Sequence, residues 1–150
     1  MAKPTKSRKR RAIKSKVSKL GMAPGSLIFT GEQKMAEQKI SVMHYSEEGV
    51  EEFDTRHLEE VQRLMTPENG VTWVNIDGLH DVETISTICT DLGVHKLTVE
   101  DVIGVGQRPK FEEFDHYLFV VLRMFLLGDN GKDIEDEQLS FIVKGRLLIT

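Results

Sequence analysis

Two adjacent carboxylates and a pair of glycines lie close together in the stretch LTVEDVIGVGQRPKFEEF (97–114). Glu100 and Asp101 could contribute to a Mg²⁺ site, because this ion takes one or two protein carboxylates and keeps several of its waters. Gly104 and Gly106 could instead belong to a loop whose backbone N–H groups hold a phosphate. A third interpretation is a short helix that ends at the glycines.

The glycine spacing argues against a phosphate-binding loop. The segment GVG (104–106) has two of the three glycines of the dinucleotide fingerprint, and it follows a predicted helix, whereas the fingerprint lies between a strand and a helix. Glycine is common where a helix ends. The spacing therefore predicts a helix that stops here and an extended segment that starts at Pro109.

The two acids lie on the polar side of that predicted helix. At about 100° per residue, Val99, Val102 and Ile103 share one face, and Glu100 and Asp101 point to the opposite side. Spacing alone leaves two interpretations open. The acids form a solvated face, or they form part of a hard-cation site that needs further ligands from elsewhere.

Other reactive residues give no pattern typical of a catalytic or structural metal site. The five histidines (44, 57, 80, 95 and 116) lack the spacing of zinc ligands. The acidic run 128–137 fails the calcium-loop spacing. Cys89 lies in an apolar helical stripe, so we expect a buried, inert thiol. No nucleophile–base pair can be identified, and we expect that the chain is not an enzyme.

Composition indicates one globular domain of 150 residues, with 39% hydrophobic and 29% charged residues. The longest apolar run, 118–127, is interrupted by Arg123 and is half of the ~20 residues that a membrane-spanning helix needs. The sequence therefore predicts no membrane span. A single cysteine and the absence of an apolar signal segment favour a cytosolic location.

Charge is distributed unevenly along the chain. Residues 1–19 hold nine basic residues and no acid, which leaves 11 basic and 24 acidic residues, a net charge of −13, in the remainder. We expect a basic flexible tail (1–20) joined to an acidic domain (21–150). The tail could bind nucleic acid, lie near an anionic membrane surface or have no fixed partner. A soluble nucleic-acid- or nucleotide-binding protein is accordingly the alternative function.

The elements that must position these residues follow from hydrophobic periodicity and turn signals. The pattern predicts an α/β fold with a mixed sheet. The apolar segment 117–127 predicts a strand near the middle of a covered sheet. Because the chain stops at Thr150 within an apolar strand, we expect a fragment of a longer protein. The predicted strands are 27–30, 39–45, 71–77, 117–127, 137–143 and 146–150, and the predicted helices are 47–53, 56–65, the segment between Asp81 and Gly93, and 96–103.

Four separated blocks together resemble the amino-terminal cytoplasmic domain of the CorA family of divalent-cation channels. The resemblance covers roughly residues 21–150 and excludes the basic tail. The blocks are PGSLIFTG (24–31), TWVNIDGLH (72–80), LGVHKLTVEDVIGVGQRPKFEEFDHYLFVVLRMF (92–125) and EDEQLSFIV (135–143).

The resemblance implies an α/β/α domain, a mixed sheet sandwiched between helices, in a homopentameric Mg²⁺ channel that also passes Co²⁺ or Ni²⁺. It implies a location at the cytoplasmic face of the inner membrane, where Mg²⁺ bound between subunits favours the closed state. Asp101, with Glu100, occupies the position of the family's regulatory metal-binding acids.

Their partner carboxylates lie on a stalk helix which, like the two membrane helices and the Gly-Met-Asn signature, is absent from these 150 residues. Zinc-transporting relatives share the fold, so the resemblance does not fix the ion. Under this interpretation no nucleic acid is bound.

Overall fold

The computed structural model describes residue 23 and residues 26–66, 68–128 and 131–150. These residues form one seven-stranded sheet and three helices. The strands are β1 (Lys39–Ser46), β2 (Gly49–Thr55), β3 (Val71–Asp77), β4 (Lys110–Phe114), β5 (Tyr117–Leu127), β6 (Ile134–Lys144) and β7 (Leu147–Ile149), and the helices are α1 (Leu58–Leu64), α2 (Val82–Asp91) and α3 (Lys96–Ile103).

The sheet is mixed, as the sequence predicts. Its strand order is β2-β1-β3-β7-β6-β5-β4; β3 and β7 run parallel, and every other neighbouring pair is antiparallel. Strand register places one row of apolar side chains across five neighbouring strands, and all of them are buried. This row consists of Val42, Val74, Ile149, Ile142 and Phe119. Period-2 alternation thus builds one continuous core face.

Buried residues from all three helices join that core face. In α2 the side chain of Asp81 caps the helix by accepting the N–H of Thr84 at 3.1 Å. Gly93 follows the helix with φ of 70°, a conformation that glycine adopts readily. Cys89 is only 2% exposed, and burial raises the pKa of its thiol to about 12. The predicted burial of this thiol is confirmed.

The predicted middle position of the 117–127 segment is wrong. β5 is the second strand from one edge of the sheet, covered on that side only by the short β4. The side chains in the second half of β5 are also exposed in the described structure, where Phe125 is 68% and Leu127 is 70% exposed. The apolar residues on both faces of this segment do not show which part of the strand other elements pack against.

Two further predictions differ from the structure near the amino end. Residues 27–30 form no strand; Leu27 and Phe29 instead pack against the core. The segment 47–53, predicted as a helix, belongs to a hairpin in which β2 pairs with β1. Ser46 accepts the N–H of Glu48 at 3.2 Å within the turn, rather than capping a helix. Gly49, with φ of 142°, lets the chain reverse there.

None of the helices among the described residues is long and apolar enough to cross a membrane. The basic tail (1–20) lies outside the described residues, so its predicted flexibility and its partners stay predictions. Residues 129 and 130, between β5 and β6, also lie outside them, and Leu127 pairs with Ile134 where the two strands meet this connection.

Candidate functional site

The candidate site lies where α3 packs against β4, and a buried tyrosine holds the beginning of α3. Tyr117, which is 3% exposed, accepts the backbone N–H of His95 at 3.2 Å and hydrogen bonds to the hydroxyl of Thr98 at 3.1 Å. The ring nitrogen Nδ1 of His95 accepts the N–H of Leu97 at 3.3 Å. These contacts fix the first turn of the helix to β5.

The end of α3 is held by the side chain of Gln138, which extends from β6. Its Oε1 accepts the backbone N–H groups of Gly106 and Gln107, both at 2.9 Å, and its Nε2 donates to the carbonyl of Asp101 at 3.0 Å. The N–H of Gly104 returns to the last helical turn through a 2.8 Å bond. The prediction that the helix ends at this glycine is confirmed. Because these three amides donate within the protein, the loop does not offer them to a phosphate.

Asp101 points towards the edge strand β4, where it contacts Lys110. The Lys110 ammonium donates to Asp101 Oδ2 at 2.8 Å and to Glu112 Oε1 at 2.9 Å. The Asp101 and Lys110 side chains are each 26% exposed, and that of Glu112 is 42% exposed. Of the two interpretations that spacing left open, a fully solvated face does not describe Asp101, because its carboxylate is partly buried against β4 and paired with Lys110.

The Lys110 ammonium lies over the aromatic ring of Phe119. Nζ lies 5.1 Å from the ring centroid of the fully buried Phe119, within cation–π range. Burial lowers the pKa of Lys110, but hydrogen bonds and charge attraction from Asp101 and Glu112 raise it by more, so that its pKa lies above the ordinary value. Lys110 therefore remains a cation at neutral pH.

The second predicted ligand, Glu100, is partly exposed and precedes Asp101 in α3. The Lys110 ammonium contacts Glu112 as well as Asp101. Within the described ranges, no group of three or more His, Cys, Asp or Glu residues could hold a metal ion. Two carboxylates with an ammonium between them do not by themselves make a complete Mg²⁺ site, so further ligands are needed.

Sequence reasoning missed Lys110, Glu112 and Gln138. The first two could have been found, because the segment KFEEF (110–114) alternates after Pro109 and a strand places residues 110 and 112 on the same face. Gln138 carries no comparable signal. Its contacts with Gly106 and Gln107 join positions more than 30 residues apart, which only the β5–β6 register brings together.

The family model described as CorA-like Mg²⁺ transporter protein matches residues 68–150, which is more than half of the chain. The chain belongs to this CorA-like family. The matched part contains α3, β4 and Gln138, and hence every residue of the candidate site described above. The family is one of transporters, not of enzymes.

Curated relatives extend the similarity over more of the chain than the family model matches. The cobalt/magnesium transport protein CorA of Thermotoga maritima is 38% identical over 126 residues, covering 84% of this chain and 35% of that relative. The putative metal ion transporter YfjQ of Bacillus subtilis is 27% identical over 90 residues, covering 60% of this chain and 27% of the relative. The CorA-like chain thus spans about a third of the length of the relatives it matches.

Solved structures support the same fold at low sequence identity. The complete structure of the CorA magnesium transporter from Methanocaldococcus jannaschii matches 74% of this chain and 31% of its own, with a TM-score of 0.51 and 14% identity. The full-length CmaX protein matches 78% of this chain and 36% of its own, with a TM-score of 0.56 and 15% identity. The predicted α/β fold and the predicted CorA resemblance are confirmed.

Proposed function

We propose that residues 21–150 are the cytosolic metal-sensing and gating domain of a homopentameric Mg²⁺ channel that also carries Co²⁺ or Ni²⁺. In this proposal the domain lies at the cytoplasmic face of the inner membrane, and Mg²⁺ held between neighbouring subunits favours the closed state. Asp101 supplies the principal carboxylate, Glu100 supports it, and ligands outside the described residues complete the site. The observation that carries the proposal is membership of the CorA-like Mg²⁺ transporter family.

The charge of the domain supports a cation-dependent switch. Residues 20–150 carry a net charge of −13, so copies of the domain repel one another when they are brought close together. A divalent cation bound between copies replaces that repulsion with attraction. Binding to the assembled arrangement then shifts the population towards it, as any ligand with unequal affinity for two states does.

The position of Asp101 suits this role better than that of a purely structural acid. Its backbone is fixed through the Gln138 contact, while its side chain keeps 26% of its surface exposed beside His95 and Glu113 in a shallow depression. A fixed backbone with an accessible carboxylate is a favourable arrangement for a ligand that a second subunit must reach.

The test uses the full-length protein in liposomes, with divalent-cation flux recorded while internal Mg²⁺ is varied. We expect Asp101→Asn to raise the Mg²⁺ concentration that half-closes the channel by about tenfold, because removing one charged ligand weakens binding by about 1.4 kcal/mol. Glu100→Gln should produce a smaller shift in the same direction.

Asp115→Asn is the matched control, since Asp115 is an exposed acid at the β4–β5 turn, outside the candidate site. It should leave the Mg²⁺ dependence unchanged. If Asp101→Asn closes at the same Mg²⁺ concentration as the unaltered protein, the role given to Asp101 is wrong.

A further inference from the structure

We propose that Lys110 is a built-in competitor of divalent cations at Asp101, and that its ammonium sets the cation concentration at which this carboxylate becomes a ligand. The inference rests on the proposed function, because it concerns the regulation of the same site. It extends that function by naming a basic residue of the same chain that must release Asp101 before an inter-subunit ion can use this carboxylate fully.

The geometry places a cation beside Asp101 without any metal. The ammonium of Lys110 lies 2.8 Å from Asp101 and 2.9 Å from Glu112, so that one positive charge bridges both carboxylates. Because Lys110 Nζ occupies the position beside Asp101 Oδ2, an ion that takes this oxygen as a ligand must displace the ammonium. Lys110 and an ion bound at this oxygen therefore exclude one another.

Lys110 is held there by more than a surface ion pair. Strand alternation places Lys110 and Glu112 on the same face of β4, and α3 brings Asp101 over them. The ring of Phe119 lies beneath the ammonium, and the side chain of Lys110 is about three-quarters buried. Because the arrangement is built from neighbouring elements of one fold, Lys110 occupies this position before any ion arrives.

The consequence is a lower affinity of Asp101 for divalent cations. Asp101, Glu112 and Lys110 together carry a net charge of −1, whereas the two carboxylates without the ammonium carry −2. A divalent cation must therefore compete with an ammonium that is always present. Replacing that ammonium with a neutral side chain should tighten cation binding by about tenfold, the change that corresponds to one charged hydrogen bond of about 1.4 kcal/mol.

The test uses Mn²⁺ as a paramagnetic probe on the ¹⁵N-labelled 150-residue chain, and follows the broadening of amide signals around Asp101. We expect Lys110→Met to bind Mn²⁺ about tenfold more tightly than the unaltered chain, and Asp101→Asn added to that variant to abolish the gain. Methionine keeps much of the aliphatic length over Phe119. Lys110→Gln provides a second neutral variant in case the methionine variant unfolds.

Lys96→Met is the matched control, because Lys96 is an exposed lysine at the start of the same helix. It removes the same charge and should change the Mn²⁺ affinity less than twofold. The proposal is overturned if neutral variants of Lys110 bind Mn²⁺ no more tightly than the unaltered chain, or if Lys96→Met produces an equal gain.

Failure of this inference can be distinguished from failure of the proposed function. If Lys110→Met tightens Mn²⁺ binding but Asp101→Asn leaves gating of the full-length protein unchanged, the competition is real and the sensing role is wrong. If Asp101→Asn weakens closure but neutral Lys110 variants bind as before, the sensing role stands and the competition is refuted.

Discussion

Gln138 joins the end of α3 to the following turn, and removing its amide should loosen both together. In Gln138→Met the side chain keeps a similar length but loses the acceptor for two backbone N–H groups and the donor to the Asp101 carbonyl. These three bonds measure 2.9, 2.9 and 3.0 Å, all within the normal range, and the variant also loses a longer 3.4 Å contact from Nε2 to the hydroxyl of Ser140. The perturbation is therefore confined to polar contacts.

The expected cost follows from these contacts. A hydrogen bond contributes about 0.5–1.5 kcal/mol net, and a donor left unsatisfied in the interior costs about 1–3 kcal/mol. Gly106 is exposed, so water can replace one of the three partners. We expect the free energy of unfolding to fall by about 2 kcal/mol, which lowers Tm by about 8 °C for a domain of this size.

Thermal unfolding and native-state hydrogen exchange measure the two effects separately. Amides in β1 and β3 that exchange by global unfolding should accelerate by about 30-fold, the factor that corresponds to about 2 kcal/mol, whereas the amides of Gly106 and Gln107 lose their acceptor outright and should accelerate by more than that. Gln62→Met is the control, since the amide of this partly exposed residue donates to the Asp91 side chain at the surface, and its cost should stay below about 0.5 kcal/mol. Unchanged exchange at Gly106 and Gln107 would refute the role given to Gln138.

Three further predictions test other parts of the fold. Tyr117→Phe removes the hydroxyl that holds Thr98 and should cost about 1–3 kcal/mol by chemical denaturation. Cys89 should resist thiol reagents at pH 8 until the protein unfolds. The free energy of unfolding should fall as the pH rises from about 9 towards the folded-state pKa of about 12, because in this range only the thiol of the unfolded chain ionises. Gly70→Ala should cost about 3 kcal/mol, because its Cβ would lie 1.9 Å from a backbone oxygen, whereas Gly145→Ala, which has a similar φ but open space, should cost about 1 kcal/mol.

Periodicity identified the elements that carry a long or strongly capped pattern. The helix between Asp81 and Gly93, its apolar stripe and the end of α3 at Gly104 all follow from local rules, and the structure confirms them. Segment 47–53 failed because its acids and the preceding Ser46 also fit a helix start. In the structure, pairing of β2 with β1 overrides that local preference.

The candidate site was only partly predictable for a related reason. Helical spacing identifies Asp101 as lying off the apolar face of α3, but it cannot show what packs against that side. Lys110 meets Asp101 only because β4 forms the sheet edge beneath the helix, and Gln138 reaches it only through the register of β6. Such contacts depend on tertiary arrangement, which no local pattern encodes.

The most direct test of the sensing account measures the Mg²⁺ concentration that half-closes the full-length protein in two variants. Asp101→Asn removes the proposed ligand and should raise that concentration by about tenfold, whereas Lys110→Met removes its competitor and should lower it by about tenfold. Opposite shifts would support one carboxylate for which Mg²⁺ and Lys110 compete. If neither variant shifts the concentration, or both shift it in the same direction, the account is contradicted.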